Sequence, residues 1–482
     1  MPRAIASPDL AQRPIRPHGT AARTAPVYVV RQCNRAQRGE RVRRVGRTRG
    51  NQQNQRTCAK AARAGPRINP SGSVASVVTE QRDPVTTRRA RVAVAALFLT
   101  NGAIFANLLP RYPEIKTDLQ LSNATYGAAV AAFSAGALIA GLTAGALIRR
   151  FRSSRVGVTL TVALAVFVFA AGLAPTPILF AGALFLAGAC DSIVDVAQNA
   201  HGLRVQREYG RSIINSLHAV WAIGAVLGGL TGAATIAMHI PRGVHLAAIA
   251  VVFSIVALAA FRFLLPGDDH DDHPAAHAPA GLRAGPRTYL ILLALVVIAI
   301  AGATVEDAGS SWATLYLRDT LHTPPAVAAF GYIALVGFMF IGRMIGDRLV
   351  DRFGETAVVR AGGLIAAVGM GAALAFPSTA GSIAGFAAAG FGVATLIPAA
   401  MHAADQLPGL RPGTGLTAVT WLMRVGFFGA PLLVGVVADA AGLRAGLLVV
   451  PAAGVLAIVL AGALRPHRVS VGDAGQLDRE HT

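Results

Sequence analysis

The sequence predicts an all-α membrane protein: twelve transmembrane helices in two six-helix bundles, preceded by a disordered basic N-terminal tail. Three observations predict it. Only 14% of the 482 residues are charged and 54% are hydrophobic, with a mean hydropathy of +0.52, whereas soluble domains carry about 25% charged residues. From residue 92 onward the chain falls into twelve apolar runs of roughly 20 residues, the length that crosses a ~30 Å hydrocarbon core. The two sets of six also echo each other in sequence, as repeats within membrane carriers do.

Residues 1–88 form the tail. They are rich in Arg, Gln, Pro and Ser, and they lack helical or strand periodicity. Residues 1–90 hold 19 of the 44 basic residues but only four of the 24 acids, so most of the net charge of +20 lies there. The opening "MPRAIASPDLAQRPIRPHG" has no apolar core, so no secretory signal peptide is expected. The arginines in 35–50 suit phosphate, but the tail reads as a solvated segment and no nucleic-acid partner is expected.

The apolar runs are centred on 92–109, 124–148, 156–174, 177–203, 213–238, 243–264, 288–317, 325–349, 357–376, 379–404, 413–438 and 443–464. A polar segment at 266–287 divides them into an N-terminal bundle (89–265) and a C-terminal bundle (288–466), with a short tail at 467–482. Its "DDHDDH" run (268–273) has metal-ligand chemistry but lies among Pro and Ala, and reads as a solvated linker. Cys33, Cys58 and Cys190 show no metal or disulfide spacing.

Basic residues cluster in alternate loops: Arg88, Arg89 and Arg91; Arg149, Arg150, Arg152 and Arg155; Arg204, Arg207 and Arg211; Arg348, Arg352 and Arg360; Arg465 and Arg468. The other loops hold only Arg111, Lys116, Arg242, Arg318 and Arg444. This asymmetry places both termini and the linker in the cytoplasm of a multi-pass cell-membrane protein. Glycines recur at matching intervals in the second helix of each half: Gly136, Gly141 and Gly145 against Gly337, Gly342 and Gly346. Small residues so spaced let helix backbones approach closely.

The chemistry-bearing residues are those that hydrocarbon should exclude. An ionised aspartate at mid-bilayer costs ~2.5–3.5 kcal/mol on insertion scales, yet Asp191 and Asp195 sit four residues apart on one face of the fourth helix. Burial and a neighbouring like charge both favour the neutral carboxyl. The pair therefore reads as proton-coupling or substrate-binding, the alternative being structural hydrogen bonds to Asn199 or Gln198. Glu306 and Asp307 lie deep in the seventh helix with Trp312 close by. They form either a platform for sugar or cation or an interfacial pair. Arg424, ten residues into the eleventh helix, calls for an acid such as Asp195 or Glu306, or else an anionic ligand. His218, one turn into the fifth helix, either relays protons or is structural. Trp221 and Trp421 either line the cavity or pack. His402 and Asp405 close the tenth helix as gate residues.

"GDRLVDRFG" (346–354) resembles the loop between the second and third helices of a half in the major facilitator superfamily, and the likeness covers residues ~90–465. The resemblance implies that fold, alternating access and a cytoplasmic gate. Asp347 would be its key acid, with Arg348, Asp351 and Arg352 as its network between Gly346 and Gly354. The first copy, "GALIRRFRSSR" (145–155), supplies Arg149 and Arg150 but has Ala146 in place of the acid. "VDVAQNAH" (194–201) resembles the fourth-helix element of fucose-permease-like proton symporters, which implies proton coupling at Asp195 and Asn199. Where that branch has an acid at the end of the first helix, Ala106 or Asn107 stands here.

The expected function is a secondary transporter of a small polar, sugar-like or other metabolite, coupled to protons. It would be a monomer whose partners are its solute, protons and the lipid bilayer. The alternatives are proton-antiport efflux and a non-transporting receptor or scaffold. No Ser/His/Asp set, metal cluster or phosphate loop appears, so neither enzyme activity nor a cofactor is expected.

Overall fold

The computed structural model describes residues 84–267, 285–410 and 413–465. The expectations for most of the tail (1–83), the acidic run at 268–273 and the C-terminal segment fall outside the described residues. Among the described residues, twelve helices are long and apolar enough to span a membrane: α1 (Val85–Asp118), α2 (Asn123–Gly141), α3 (Ser153–Gly172), α4 (Pro177–Tyr209), α5 (Ile214–Ala237), α6 (Arg242–Phe261), α7 (Pro286–Thr320), α8 (Pro325–Phe353), α9 (Glu355–Ala375), α10 (Thr379–Asp405), α11 (Thr414–Ala441) and α12 (Leu443–Leu464).

Local chemistry sets many of the boundaries. Ser122, Thr176 and Ser378 cap α2, α4 and α10 by accepting from the backbone N–H three residues on. Pro177 then opens α4, and Gly210 ends it with φ +70°. Helix α1 runs longer than its apolar stretch at both ends. The polar turn from Val85 continues it on one side, and a short 3-10 turn leading into Tyr112–Asp118 extends it on the other. Helix α2 breaks at Leu142 and Thr143, and Ala144–Phe151 carries the chain on to the turn before α3.

Within the first bundle α2 and α3 pack on α4, and α1 on α5. In the second, α8 and α9 pack on α10, and α12 on α9. The two halves meet along α2 with α11 and along α5 with α8. The glycine pattern explains the closest of these approaches. A Cβ on Gly136 would stand 1.9 Å from the Phe185 carbonyl oxygen, and one on Gly188 would stand 1.9 Å from that of Phe133. The α2–α4 crossing is therefore backbone against backbone. In α8, Gly342 and Gly346 face α10, whereas Gly337 looks into open space.

The end of the molecule that carries the α1 N-terminus holds the basic loops. At the opposite end the halves are tied together. The backbone N–H groups of Asn123 and Ala124, in the first turn of α2, donate to Asp439 Oδ1 and Oδ2 on α11, each at 2.8 Å. This is a helix cap supplied by the other bundle, and its charge also suits the helix dipole. Lys116 Nζ lies 3.9 Å from Asp319 Oδ2 between α1 and α7. The Tyr126 hydroxyl donates to the Ser311 carbonyl at 2.7 Å. Buried Arg111 braces this end within the first half: it pairs with Glu114 at 3.1 Å and donates to the Ile240 carbonyl at 2.9 Å.

Gly136→Ala should lower the melting temperature by the equivalent of ~1–3 kcal/mol, because a carbonyl in a packed crossing has nowhere to move. Gly337→Ala should be neutral or stabilising by up to ~1 kcal/mol; thermal unfolding of the purified proteins compares them. Asp439→Ala should loosen the tied end by about the worth of a cap, roughly a tenfold shift in population. The readout is the maleimide labelling rate of a cysteine placed at Ser310. The reagent is applied from the Asp439 side, in protein whose three native cysteines are serine.

Candidate functional site

A cavity of about 300 Å³ lies between the halves, beneath the tied end, at the lower end of the range for small-molecule sites. Its wall draws Asn101 and Phe105 from α1, Phe133 and Ser134 from α2, Asp191 from α4 and Trp221 from α5. From the second half come Glu306, Asp307 and Ser310 on α7, Tyr332 on α8, and Arg424 and Phe427 on α11. Phe105 and Phe133 stack at 4.2 Å. The wall thus combines aromatic faces with a few polar groups, and acids outnumber the cations.

Asp191 and Asp195 do share one face of α4. Asp191 is partly buried in the cavity wall. Asp195, one turn nearer the basic end, is exposed to solvent although it lies in the body of the fold. That pattern belongs to a cavity open toward the basic end. Asn199 Nδ2 donates to the Asp195 carboxylate at 3.0 Å and to its backbone carbonyl at 2.9 Å. His218 Nε2 stands 3.1 Å from Asn199 Oδ1, and its ring meets Phe98 edge-on at 5.4 Å. The carboxylate, amide and imidazole therefore form one hydrogen-bonded series joining α4 to α5.

Arg424 departs from expectation. Neither Asp195 nor Glu306 pairs with it directly. Glu306 is held instead by Arg343 of α8, at 3.2 Å, and Arg424 has no ion pair within 4 Å and no hydrogen bond among the described residues. Its charge still acts on both Asp191 and Asp195. Arg424 lines the cavity, but depth in a helix says nothing about which acid a second arginine has already engaged. Arg343 lies in the glycine-rich run of α8, whose spacing speaks to close helix approach and not to charge pairing.

Trp312 is also relocated. It is fully buried and meets the Tyr126 ring edge-on at 4.9 Å, so it stands behind the cavity wall as part of the tied end. Asp307 does line the cavity, and its Oδ2 has no hydrogen-bond partner. Asn101, not singled out in the sequence, is 4% exposed, and its Oδ1 is likewise unpartnered. An asparagine in an apolar helix was the available signal. Ala106 also lines the cavity, whereas Asn107 bonds to buried His245 at 2.9 Å inside the first bundle. Trp221 lines the cavity and Trp421 is 46% exposed. His402 bonds to Gln406 at 2.8 Å and lies 3.7 Å from Glu355.

The residues of the gate signature gather at the basic end. Gly346 packs on α10, and Gly354 turns the chain into α9 with φ +81°. Asp347, Arg348, Asp351 and Arg352 are exposed, as are Arg149 and Arg150 on the matching turn of the first half. Asp347 makes no ion pair among the described residues, and the Arg352 guanidinium lies 5.4 Å from the centre of the Phe353 ring. Among the described residues no group of three or more His, Cys, Asp or Glu is placed to hold a metal ion.

Comparison with known proteins converges on one family. Residues 94–409 match the Major Facilitator Superfamily model. The chain is 30% identical over 372 residues to an uncharacterized transporter, y4wD, of Sinorhizobium fredii, which covers 77% of this chain and 97% of that protein. Its fold is similar to that of the nucleoside transporter NupG (TM-score 0.60, 13% identity, 79% of this chain and 98% of that one). It is also similar to FucP in its outward conformation (TM-score 0.52, 19% identity, 79% and 100%). With twelve spans in two bundles around a shared cavity, the chain belongs to the major facilitator superfamily and is a multi-pass secondary transporter, not an enzyme.

Proposed function

We propose that this transporter moves a small polar, hydroxylated solute in step with protons, with the basic end facing the cytoplasm and both termini inside. The observation that carries the reading is the arrangement around α4. One carboxylate, Asp195, is wet and hydrogen-bonded through Asn199 to His218, and a second, Asp191, lies one turn deeper, with the unpaired Arg424 in the same cavity wall. Ionised acids in the body of a membrane protein are tolerable only where water or a counter-charge reaches them, and a cavity that alternates its opening provides that.

In the conformation seen, the cavity opens to the basic end and the tied end is shut. Asp195 then exchanges protons with the cytoplasm through the water that reaches it, while Asn199, itself held by His218, orients its carboxylate. Asp191 and Arg424 sense the change, because both carboxylates lie within the field of that guanidinium. Solute binds among Asn101, Ser134 and Ser310, with Phe105, Trp221 and Phe427 covering its apolar faces, the mix that orients small polar ligands. Release of the Asp439 cap opens the far end, while Asp347, Arg348, Asp351 and Arg352 close the basic one. In the first repeat, Ala146 leaves that role to the second copy.

The test is proton movement in lightly buffered, de-energised proteoliposomes on adding sugars, amino acids or organic acids. One solute should alkalinise the side from which it enters. Asp195→Asn should slow that signal at least about tenfold while leaving solute exchange at equal pH, since exchange needs no net proton transfer. A proton signal undiminished in Asp195→Asn would sink the coupling assignment. Silence across the panel, with altered drug sensitivity in expressing cells, would favour proton-antiport efflux.

A further inference from the structure

The charges around the central cavity do not balance, and the imbalance falls on one residue. Asp191, Glu306, Asp307 and Arg424 line the wall. Glu306 has a cation of its own, Arg343 at 3.2 Å. Asp191 lies in the field of Arg424, which also reaches Asp195. Asp307 has no such partner. No Lys, Arg or His stands within 4 Å of its carboxylate among the described residues, and the charged group that acts on it is Glu306, of like sign. The Ser311 hydroxyl meets the carboxylate, but Oδ2 has no hydrogen-bond partner. We propose that the solute carries a protonated amino group, which serves as the counter-charge of Asp307; this rests on the cavity being the solute site, as in the proposed function.

Three features of the wall favour a cation there. An ionised acid in the body of a membrane protein needs water or an opposite charge, and closure of the cavity around a solute removes the water. A hydroxyl can donate to Asp307 but leaves its charge unmatched, whereas an ammonium does both. The second feature is Asn101 of α1, which is 4% exposed and has an unpartnered Oδ1. Among the lining residues the unpartnered buried polar atoms are thus this oxygen and Asp307 Oδ2. Both are acceptors, so a solute that satisfies them must donate. The third feature is aromatic: Phe105, Trp221 and Phe427 line the same cavity, and such rings attract ammonium groups. An anionic solute would find Arg424, but within the field of two acids. Ser311, one turn beyond Asp307, accepts the Tyr126 hydroxyl of the tied end, so the amino end of the solute faces the shut side of the cavity.

Charge-selective thiol reagents test the wall before the solute is known. In the full chain with its three native cysteines changed to serine, Ser310→Cys puts a thiol in the same wall. Aminoethyl and sulfonatoethyl methanethiosulfonate carry opposite charges on one reactive group. After correction for their rates with a free thiol, the cationic reagent should react at least about tenfold faster. Asp307→Asn should cut that preference about tenfold, and Asp307→Glu should keep it. Asp118→Asn, at an exposed site outside the cavity, should leave it unchanged. Glucosamine and ethanolamine, set against glucose and N-acetylglucosamine, then read the solute class by protecting the thiol. The amines should protect at concentrations at least about tenfold lower, and Asp307→Asn should remove the difference. A cationic preference that survives Asp307→Asn would overturn the proposal, as would equal effects of amines and neutral compounds, absence of protection included. The functional reading fails separately: amine exchange in proteoliposomes at equal pH with no proton signal would sink proton coupling and leave the amine assignment standing.

Discussion

The structure depends on one constraint: an ionised carboxylate cannot stay in hydrocarbon, and this body holds several. Asp191, Glu306 and Asp307 all line the cavity, and Asp195 faces solvent one turn below Asp191. A single close-packed bundle has no place for them. Two bundles that meet along only a few helix pairs leave a polar seam between them, and every acid in the middle of the fold faces that seam. The glycine crossings follow from the same need. Each half must be rigid enough to move as a body, and α2 on α4 achieves this with backbones in direct contact at Gly136 and Gly188.

Rigid halves need interactions that can be exchanged at their border. Those seen at the tied end are polar and few: a carboxylate on two backbone N–H groups, one lysine–aspartate pair, and one tyrosine hydroxyl on a carbonyl. Each loses little when water replaces its partner, because an intramolecular hydrogen bond contributes only about 0.5–1.5 kcal/mol net. Behind them stands a dry aromatic layer, Tyr112, Tyr126 and Trp312, in edge-to-face contact or fully buried. An apolar plug with a polar latch seals the end without making the closed state irreversible.

Much of this was legible in the sequence, because hydrocarbon imposes length and polarity on every span. All twelve helices follow from apolar run length, and their ends shift mainly where polar turns continue a helix, as in α1. The deep charged residues were legible for the same reason, since each one violates the composition around it. What was not legible is pairing. The Asp439 carboxylate meets a helix start 316 residues away in sequence, and no local pattern predicts that. Glu306 chose Arg343 over Arg424, which depends on the rotation of α8 relative to α7. Nearness to two acids suggests a ligand platform at Trp312, whereas its helical face turns it away from the cavity.

The repeats are alike in fold but have divided their chemistry. The second copy keeps Asp347, Gly354 and Glu355 around its basic turn. The first has Arg152 and Ser153 where the second has Gly354 and Glu355, and Ala146 after the glycine that matches Gly346. A duplicated fold needs the same backbone path in both turns, and the positive φ at Arg152 and Gly354 shows that the path is the same. Identical paths free the side chains to diverge. One turn retains Asp347 and Glu355, and the other stands beside a cleft lined by Arg89, Arg152, Arg155 and Arg262. The half that carries the acid pair of α4 is therefore also the half that lines one cleft with four arginines.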